Sequence, residues 1–264
     1  MKKIGFIGAG NMGGALARAV AKSGNKVLVS DACEGKAEAL ALEIGASAVK
    51  TDELVDCCDM IFLGVKPQIL PALALEIGEK ISARKDVCLV SMAAGVRLSK
   101  LETLFSGARI IRIMPNTPAS VGAGVILYAL GTGAVEADEA LLTDALSGAG
   151  SLNKLDEKLI DAATAVSGCG PAFAYMFIEA LADGGVKCGL PRDKAQKFAA
   201  EMLLGAAKLC LESGIHPGEL KDAVCSPGGS TIAGVATLED CGFRGGVIDA
   251  VEASFERTKE LSGD

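Results

Sequence analysis

Lys3-Ile4-Gly5-Phe6-Ile7-Gly8-Ala9-Gly10-Asn11-Met12-Gly13 is the stretch on which the fold turns. Lys3 to Ile7 reads as a buried strand. Met12, Leu16 and Val20 then recur at a spacing of four, as on one face of a helix. Between strand and helix stands a Gly-x-Gly-x-x-Gly element. Alone it means little, but directly after a strand and opening a helix it has the context of a dinucleotide-binding loop. Gly8 permits the tight turn, Gly10 lets a pyrophosphate approach the backbone, and Gly13 lets the helix pack close to the strand. The helix start offers free N–H groups and a partial positive charge to the phosphates. A strand–helix turn without a ligand is the alternative.

Working outward, Lys26 to Ser30 is a second strand. Lys36 to Ile44 is a helix ending at Gly45, which suits a C-cap. Met60 to Val65, Val87 to Ser91 and Arg109 to Met114 are short runs, apolar apart from the arginines of the last. Such strands suit a parallel sheet covered on both faces. Gly122 to Leu130 and Leu152 to Lys154 can add edge strands. After about Asp156 four or five helical patterns follow with no convincing strand. Ala172 to Ala182 is apolar on every side except at Glu179, which places it in a deep core or a subunit interface. Ala195, Phe198, Met202, Ala206 and Leu209 read as a buried stripe, as do Val247, Val251 and Phe255 on the last helix. The expected fold is α/β: a Rossmann-type doubly wound sheet over residues 1–157, followed by an all-helical domain over residues 158–264.

The composition limits the function. Half of the 264 residues are apolar, and the formal charge is −7. An acidic chain with 4% aromatics and no Trp argues against a nucleic-acid partner. No segment reads as membrane-spanning. The lysines at the start precede an apolar run that glycines interrupt, with no cleavage site, so a cytoplasmic location is expected. Nine cysteines, an odd number without a Cys-x-x-Cys pair, fit small buried hydrophobes in a reducing compartment. His216 is the only histidine, so no multi-histidine metal site is expected.

The second strand ends near the place of an adenosine ribose. Asp31 lies there, at about the ~20-residue spacing from the glycines at which an acid meets that ribose. Its carboxylate would accept from the 2′-hydroxyl of NADH and repel the 2′-phosphate of NADPH. It equally suits a helix N-terminus. If Asp31 points away, Ser30 can bond a 2′-phosphate with Lys36 just beyond, so both cofactors stay open. Gly64-Val65-Lys66-Pro67 and Ala93-Ala94-Gly95 follow two further strands, where ligands bind in open α/β sheets.

Met114-Pro115-Asn116-Thr117-Pro118, Ala180-Leu181-Ala182-Asp183-Gly184-Gly185 and Ser226-Pro227-Gly228-Gly229-Ser230-Thr231-Ile232 accompany the N-terminal glycines. With these motifs, in this order along essentially the whole chain, the sequence resembles the pyrroline-5-carboxylate reductase family. The resemblance implies hydride transfer from NADPH or NADH to the cyclic imine of 1-pyrroline-5-carboxylate, giving L-proline. It implies that Gly8, Ala9, Gly10, Asn11 and Met12 bind pyrophosphate. Val65, Lys66 and Pro67 would flank the cofactor, Ala93, Ala94 and Gly95 would lie beside the nicotinamide, and Asn116 also belongs to the cofactor side. Ser226, Gly228, Gly229, Ser230 and Thr231 would hold the substrate. It further implies a homodimer through the helical domain, often within a larger ring. Many members have serine where this chain has Cys169, which puts a hydroxyl role there in doubt.

A substrate of this kind needs an anion site for its carboxylate. Gly228, Gly229 and Ser230 lead into a predicted helix running through Leu238, whose first N–H groups would cradle it. The plainer alternative is that Ser230 or Thr231 only caps that helix. Thr231 is the candidate catalytic residue, polarising the imine nitrogen. Its alkoxide is too unstable to act as a proton source, so solvent or a bound iminium supplies the proton. His216 reads as a surface or capping residue, and Lys66 as a positioning one. Rival readings are a hydroxy-acid dehydrogenase, disfavoured because Asp161 to Ala182 carries no lysine base, and a nucleotide sensor without turnover.

Overall fold

The computed structural model describes residues 1–84 and 86–262. Contacts divide it into two compact units, Met1–Cys169 with Ser254–Asp264, and Gly170–Ala253.

The first unit is built on eight strands: β1 (Lys3–Ile7), β2 (Lys26–Ser30), β3 (Ser47–Ala48), β4 (Met60–Leu63), β5 (Cys88–Ser91), β6 (Arg109–Met114), β7 (Gly124–Leu130) and β8 (Gly150–Lys154). Its helices are α1 (Asn11–Lys22), α2 (Glu34–Ile44), α3 (Thr51–Cys57), α4 (Leu70–Ala83), α5 (Leu98–Leu104), α6 (Glu136–Leu146) and α7 (Glu157–Ser167). The strand order is β3-β2-β1-β4-β5-β6-β7-β8. β1 to β6 are parallel, β7 runs antiparallel to β6, and β8 is parallel to β7.

Two apolar cores, one on each face, explain the continuous apolar strands. Alternate residues of β1 show the rule: Ile4 and Phe6 join α1, α2 and α6, whereas Ile7 joins α3, α4, α5 and α7. Phe6 stacks on Phe62 of β4, its register partner, with centroids 4.7 Å apart. Burying such a ring contributes about 1.5–3 kcal/mol. Gly45 ends α2 in the left-handed conformation at φ 66°, as a C-cap should.

Two expectations need correction here. β7 is an interior strand, because β8 pairs along its outer side; only β8 and β3 are edges. By contacts α7 belongs with the first unit, which runs to Cys169, because it packs on the sheet through Ile160. Of the nine cysteines only Cys58 and Cys88 are buried, and burial pushes both thiols up; the other seven are half-buried or exposed within the single chain.

The second unit is helical, with α8 (Gly170–Lys187), α9 (Arg192–Ser213), α10 (Pro217–Ala223), α11 (Ser230–Asp240) and most of α12 (Phe243–Ser262). α8 packs along α9, with Ala182, Ala195 and Ala199 buried. Beyond Ala195, the expected buried stripes are not buried within the chain: Phe198, Met202 and Leu209 on α9 are 47–55% exposed, and Val247 is 42% exposed. Helical periodicity identifies an apolar face but cannot say which chain covers it. The helical stretch Glu157–Lys187 reaches the length and apolar composition of a bilayer-crossing helix, a test that a packed core helix also passes.

Candidate active site

The strand order reverses between β1 and β4, and ligands of open α/β sheets bind outside the strand ends at such a switch point. The loops after these two strands meet there backbone to backbone. Gly8 has φ 108°, and a Cβ on it would lie 2.6 Å from the Gly64 carbonyl oxygen. A Cβ on Gly13 would lie 2.4 Å from the Gly8 oxygen. These glycines therefore let the turn, the helix start and the β4 loop touch. Gly10 is different: no atom lies within 4 Å of its would-be Cβ, and the residue is exposed. It is also the N-cap of α1, with no side chain capping the helix. The N–H groups of Asn11, Met12 and Gly13 lie in the first turn, where no intrahelical acceptor exists. An exposed, side-chain-free loop over an uncapped helix start fits the diphosphate of a dinucleotide.

At the end of β2, the Gly8 N–H donates to the Ser30 carbonyl at 2.7 Å. Asp31 turns toward the glycine loop. Its Oδ2 accepts from the Ala9 N–H at 2.7 Å, and its Oδ1 from the Cys33 N–H at 2.9 Å. Ser30 is buried, with its hydroxyl 2.8 Å from that of Thr51. Thr51 was not readable as a neighbour of Ser30, since only the parallel pairing of β3 with β2 brings it there.

The other expected cofactor residues divide by exposure. Val65 is half-buried against the core, Lys66 is exposed, and Pro67 starts a short 3-10 turn. Ala93 lies within the core at 2% exposure, while Ala94 is exposed and Gly95 is half-buried at φ 72°. Asn116 is buried with both ends of its amide engaged: Nδ2 donates to the Ser167 carbonyl and Oδ1 accepts from the Val125 N–H, each at 2.9 Å. It ties the end of β6 to β7 and to the end of α7.

In the second unit the Ser226–Thr231 loop forms a turn closed by the Gly229 N–H on the Ser226 carbonyl at 3.0 Å, with Gly228 at φ 68°. A Cβ on Gly229 would meet Ser226 Oγ at 2.4 Å, so only glycine lets the hydroxyl fold over the turn. Gly229 is the N-cap of α11, and no side chain caps it. Ser230 and Thr231 are its first two helical residues and are exposed. The capping alternative thus fails, and the loop presents backbone N–H groups and two hydroxyls at a helix start. His216 is a cap: its Nδ1 accepts from the Gly218 N–H at 3.1 Å at the start of α10. Asp183 pairs with Arg192, and Glu179 is exposed.

Sequence reasoning missed one buried network. Arg112 of β6, 1% exposed, pairs with Glu157 at 3.0 Å and with Asp161 at 2.9 Å, both on α7. Its Nε has no partner. An arginine inside an apolar strand was the available signal.

A family model described as pyrroline-5-carboxylate reductase dimerisation matches residues 157–261. Another, described as NADP oxidoreductase coenzyme F420-dependent, matches residues 3–95. The chain is 43% identical to a pyrroline-5-carboxylate reductase of Arabidopsis thaliana, covering 98% of this chain and 95% of that one. It is 46% identical to pyrroline-5-carboxylate reductase 2 of Homo sapiens, covering 98% and 83%. Among solved structures it is similar to Plasmodium falciparum pyrroline carboxylate reductase with NADP bound, with a TM-score of 0.88 and 33% identity over 99% of this chain and 98% of that chain. The Coxiella burnetii pyrroline-5-carboxylate reductase gives 0.91 and 28% over 98% of each.

Proposed function

The chain belongs to the pyrroline-5-carboxylate reductase family, and we propose that Gly8–Met12 binds its cofactor and Ser226–Thr231 its substrate. It is an NAD(P)H-dependent oxidoreductase that reduces the C=N bond of 1-pyrroline-5-carboxylate to give L-proline. NAD(P)H supplies the hydride when bound.

Gly8, Ala9, Gly10, Asn11 and Met12 form the pyrophosphate loop: Gly8 and Ala9 shape the turn with their N–H groups on Ser30 and Asp31, and the helix start at Asn11 and Met12 offers its N–H groups to the phosphates. Ser30 and Asp31 lie at the adenosine end. Val65, Lys66 and Pro67 flank the dinucleotide, with Ala94 and Gly95 toward the nicotinamide. Ala93 and Asn116 support these loops from within. The first N–H groups of α11, with Ser226 and Ser230, hold the substrate carboxylate. Thr231 donates to the ring nitrogen and orients it. The nitrogen takes its proton from solvent or arrives as the iminium, because a threonine alkoxide is too unstable at neutral pH. Holding the imine carbon at near-attack distance supplies much of the rate.

The observation that carries the substrate assignment is the uncapped start of α11 on a glycine turn with two free hydroxyls. Residues 1–157 serve the cofactor, and residues 158–264 serve dimerisation and substrate. The exposed apolar side chains of α8 and α9 support a homodimer through the helical domain, which can close into a larger ring. The same burial in a dimer accounts for the apolar Glu157–Lys187 stretch without a membrane. The acidic charge speaks against nucleic acid, and the free cysteines suit the cytoplasm. Purified protein mixed with 1-pyrroline-5-carboxylate and NADH or NADPH should form proline. Bound cofactor without proline from either would sink the reading.

A further inference from the structure

We infer that the adenosine end of the cofactor crevice selects NADH over NADPH, and that Asp31 sets the choice. This rests on the reading that the nucleotide lies along the carboxyl ends of β1 and β2. A cavity of about 490 Å³ opens there, lined by the carboxylates of Asp31, Glu34, Glu38, Asp52 and Glu76 and by a single cation, Lys50. Asp52 pairs with Lys80 at 2.9 Å. The other four carboxylates have no ion-pair partner among the described residues.

Asp31 is locked in place. Its oxygens accept from the Ala9 and Cys33 N–H groups, which aims the carboxylate at the glycine loop and leaves each oxygen a lone pair for a ribose hydroxyl. Apart from Lys50, the groups that would welcome a 2′-phosphate are engaged or do not line the cavity. The Ser30 hydroxyl is bonded to Thr51, and Lys36 does not line the cavity. The positive start of α2 is already taken by Glu34 in its first turn. A phosphate monoester carries roughly −1.5 to −2 charge at neutral pH. Four unpaired carboxylates repel that charge, whereas a 2′-hydroxyl is neutral and donates to Asp31.

The test is the Kd of NADH and of NADPH for the free protein, and kcat/KM for each with 1-pyrroline-5-carboxylate, in the wild type, Asp31→Asn and Glu38→Gln. Asparagine keeps an acceptor for the Ala9 N–H and drops the charge. Glu38 makes no bond to the glycine loop, so this second variant stays informative if the first folds poorly. The wild type should favour NADH about tenfold or more at low ionic strength, and added salt should narrow the ratio. Each variant should move the ratio toward NADPH by about three- to tenfold. A wild type that prefers NADPH, with variants that still move the ratio, would overturn the selectivity and leave the nucleotide where it is placed. A ratio unmoved in both variants would mean that the nucleotide lies elsewhere, and would overturn placement and selectivity together.

Discussion

Thr231 and Ser230 occupy adjacent positions at the start of α11, yet they should respond differently to truncation. On the proposed mechanism, Thr231→Ala removes the donor to the imine nitrogen. Positioned donors of this kind are worth about 10²–10³ in rate, so kcat should fall by that order. An unchanged kcat would take Thr231 out of the mechanism. Ser230 caps nothing. A lost cap typically costs ~1 kcal/mol, so Ser230→Ala should leave urea-unfolding stability within ~0.5 kcal/mol and act instead on the KM for substrate. A full cap-sized loss would mean that Ser230 supports the helix after all. Both residues were legible from the Ser-Pro-Gly-Gly-Ser-Thr motif. That the cap is a bare Gly229 was not, because capping depends on where the chain leaves helical geometry.

At the scale of elements, Arg112 fastens β6 to α7. Its guanidinium is almost wholly buried between two carboxylates of one helix. Removing one partner of a buried pair commonly costs about 3–5 kcal/mol, since the other charge is left without compensation. Asp161→Ala should therefore lower stability in chemical denaturation, by less than that full amount because Glu157 still pairs with Arg112. The double variant Arg112→Met/Asp161→Leu should recover part of the loss, because the one charge then left, Glu157, is a quarter exposed and still accepts from the Leu98 N–H. Equal losses in the single and double variants would show that packing at the site matters more than charge. Asp161 lies 49 residues beyond Arg112, so no local pattern announces the pair. The same limit hid the interior place of β7: its strand character is local, but its neighbours β6 and β8 are set by topology.

For the whole molecule, the exposed apolar side chains of the helical unit call for a partner. Phe198 and Met202 are each about half exposed on α9, and Leu204 and Leu211 more so. Apolar patches of this kind mark interaction surfaces. We expect the wild-type chain to sediment as a dimer or a multiple of it. Phe198→Glu/Met202→Glu should shift it toward monomer in light scattering and lower proline formation with it. A wild-type monomer with full activity would contradict that assembly.

The sequence alone determined the α/β half, the glycine loop and the order of the motifs, because strand alternation, helical spacing and the demands on glycine are local properties of the chain. Tertiary structure decided what those residues do with their side chains. It turned Asp31 toward Ala9, drew Ala93 into the core, spent the Asn116 amide on β7 and α7, and left the α9 stripe uncovered. These outcomes depend on which distant backbone groups and faces come within reach, and contact across tens of residues is fixed only when the sheet is closed and the helices are packed.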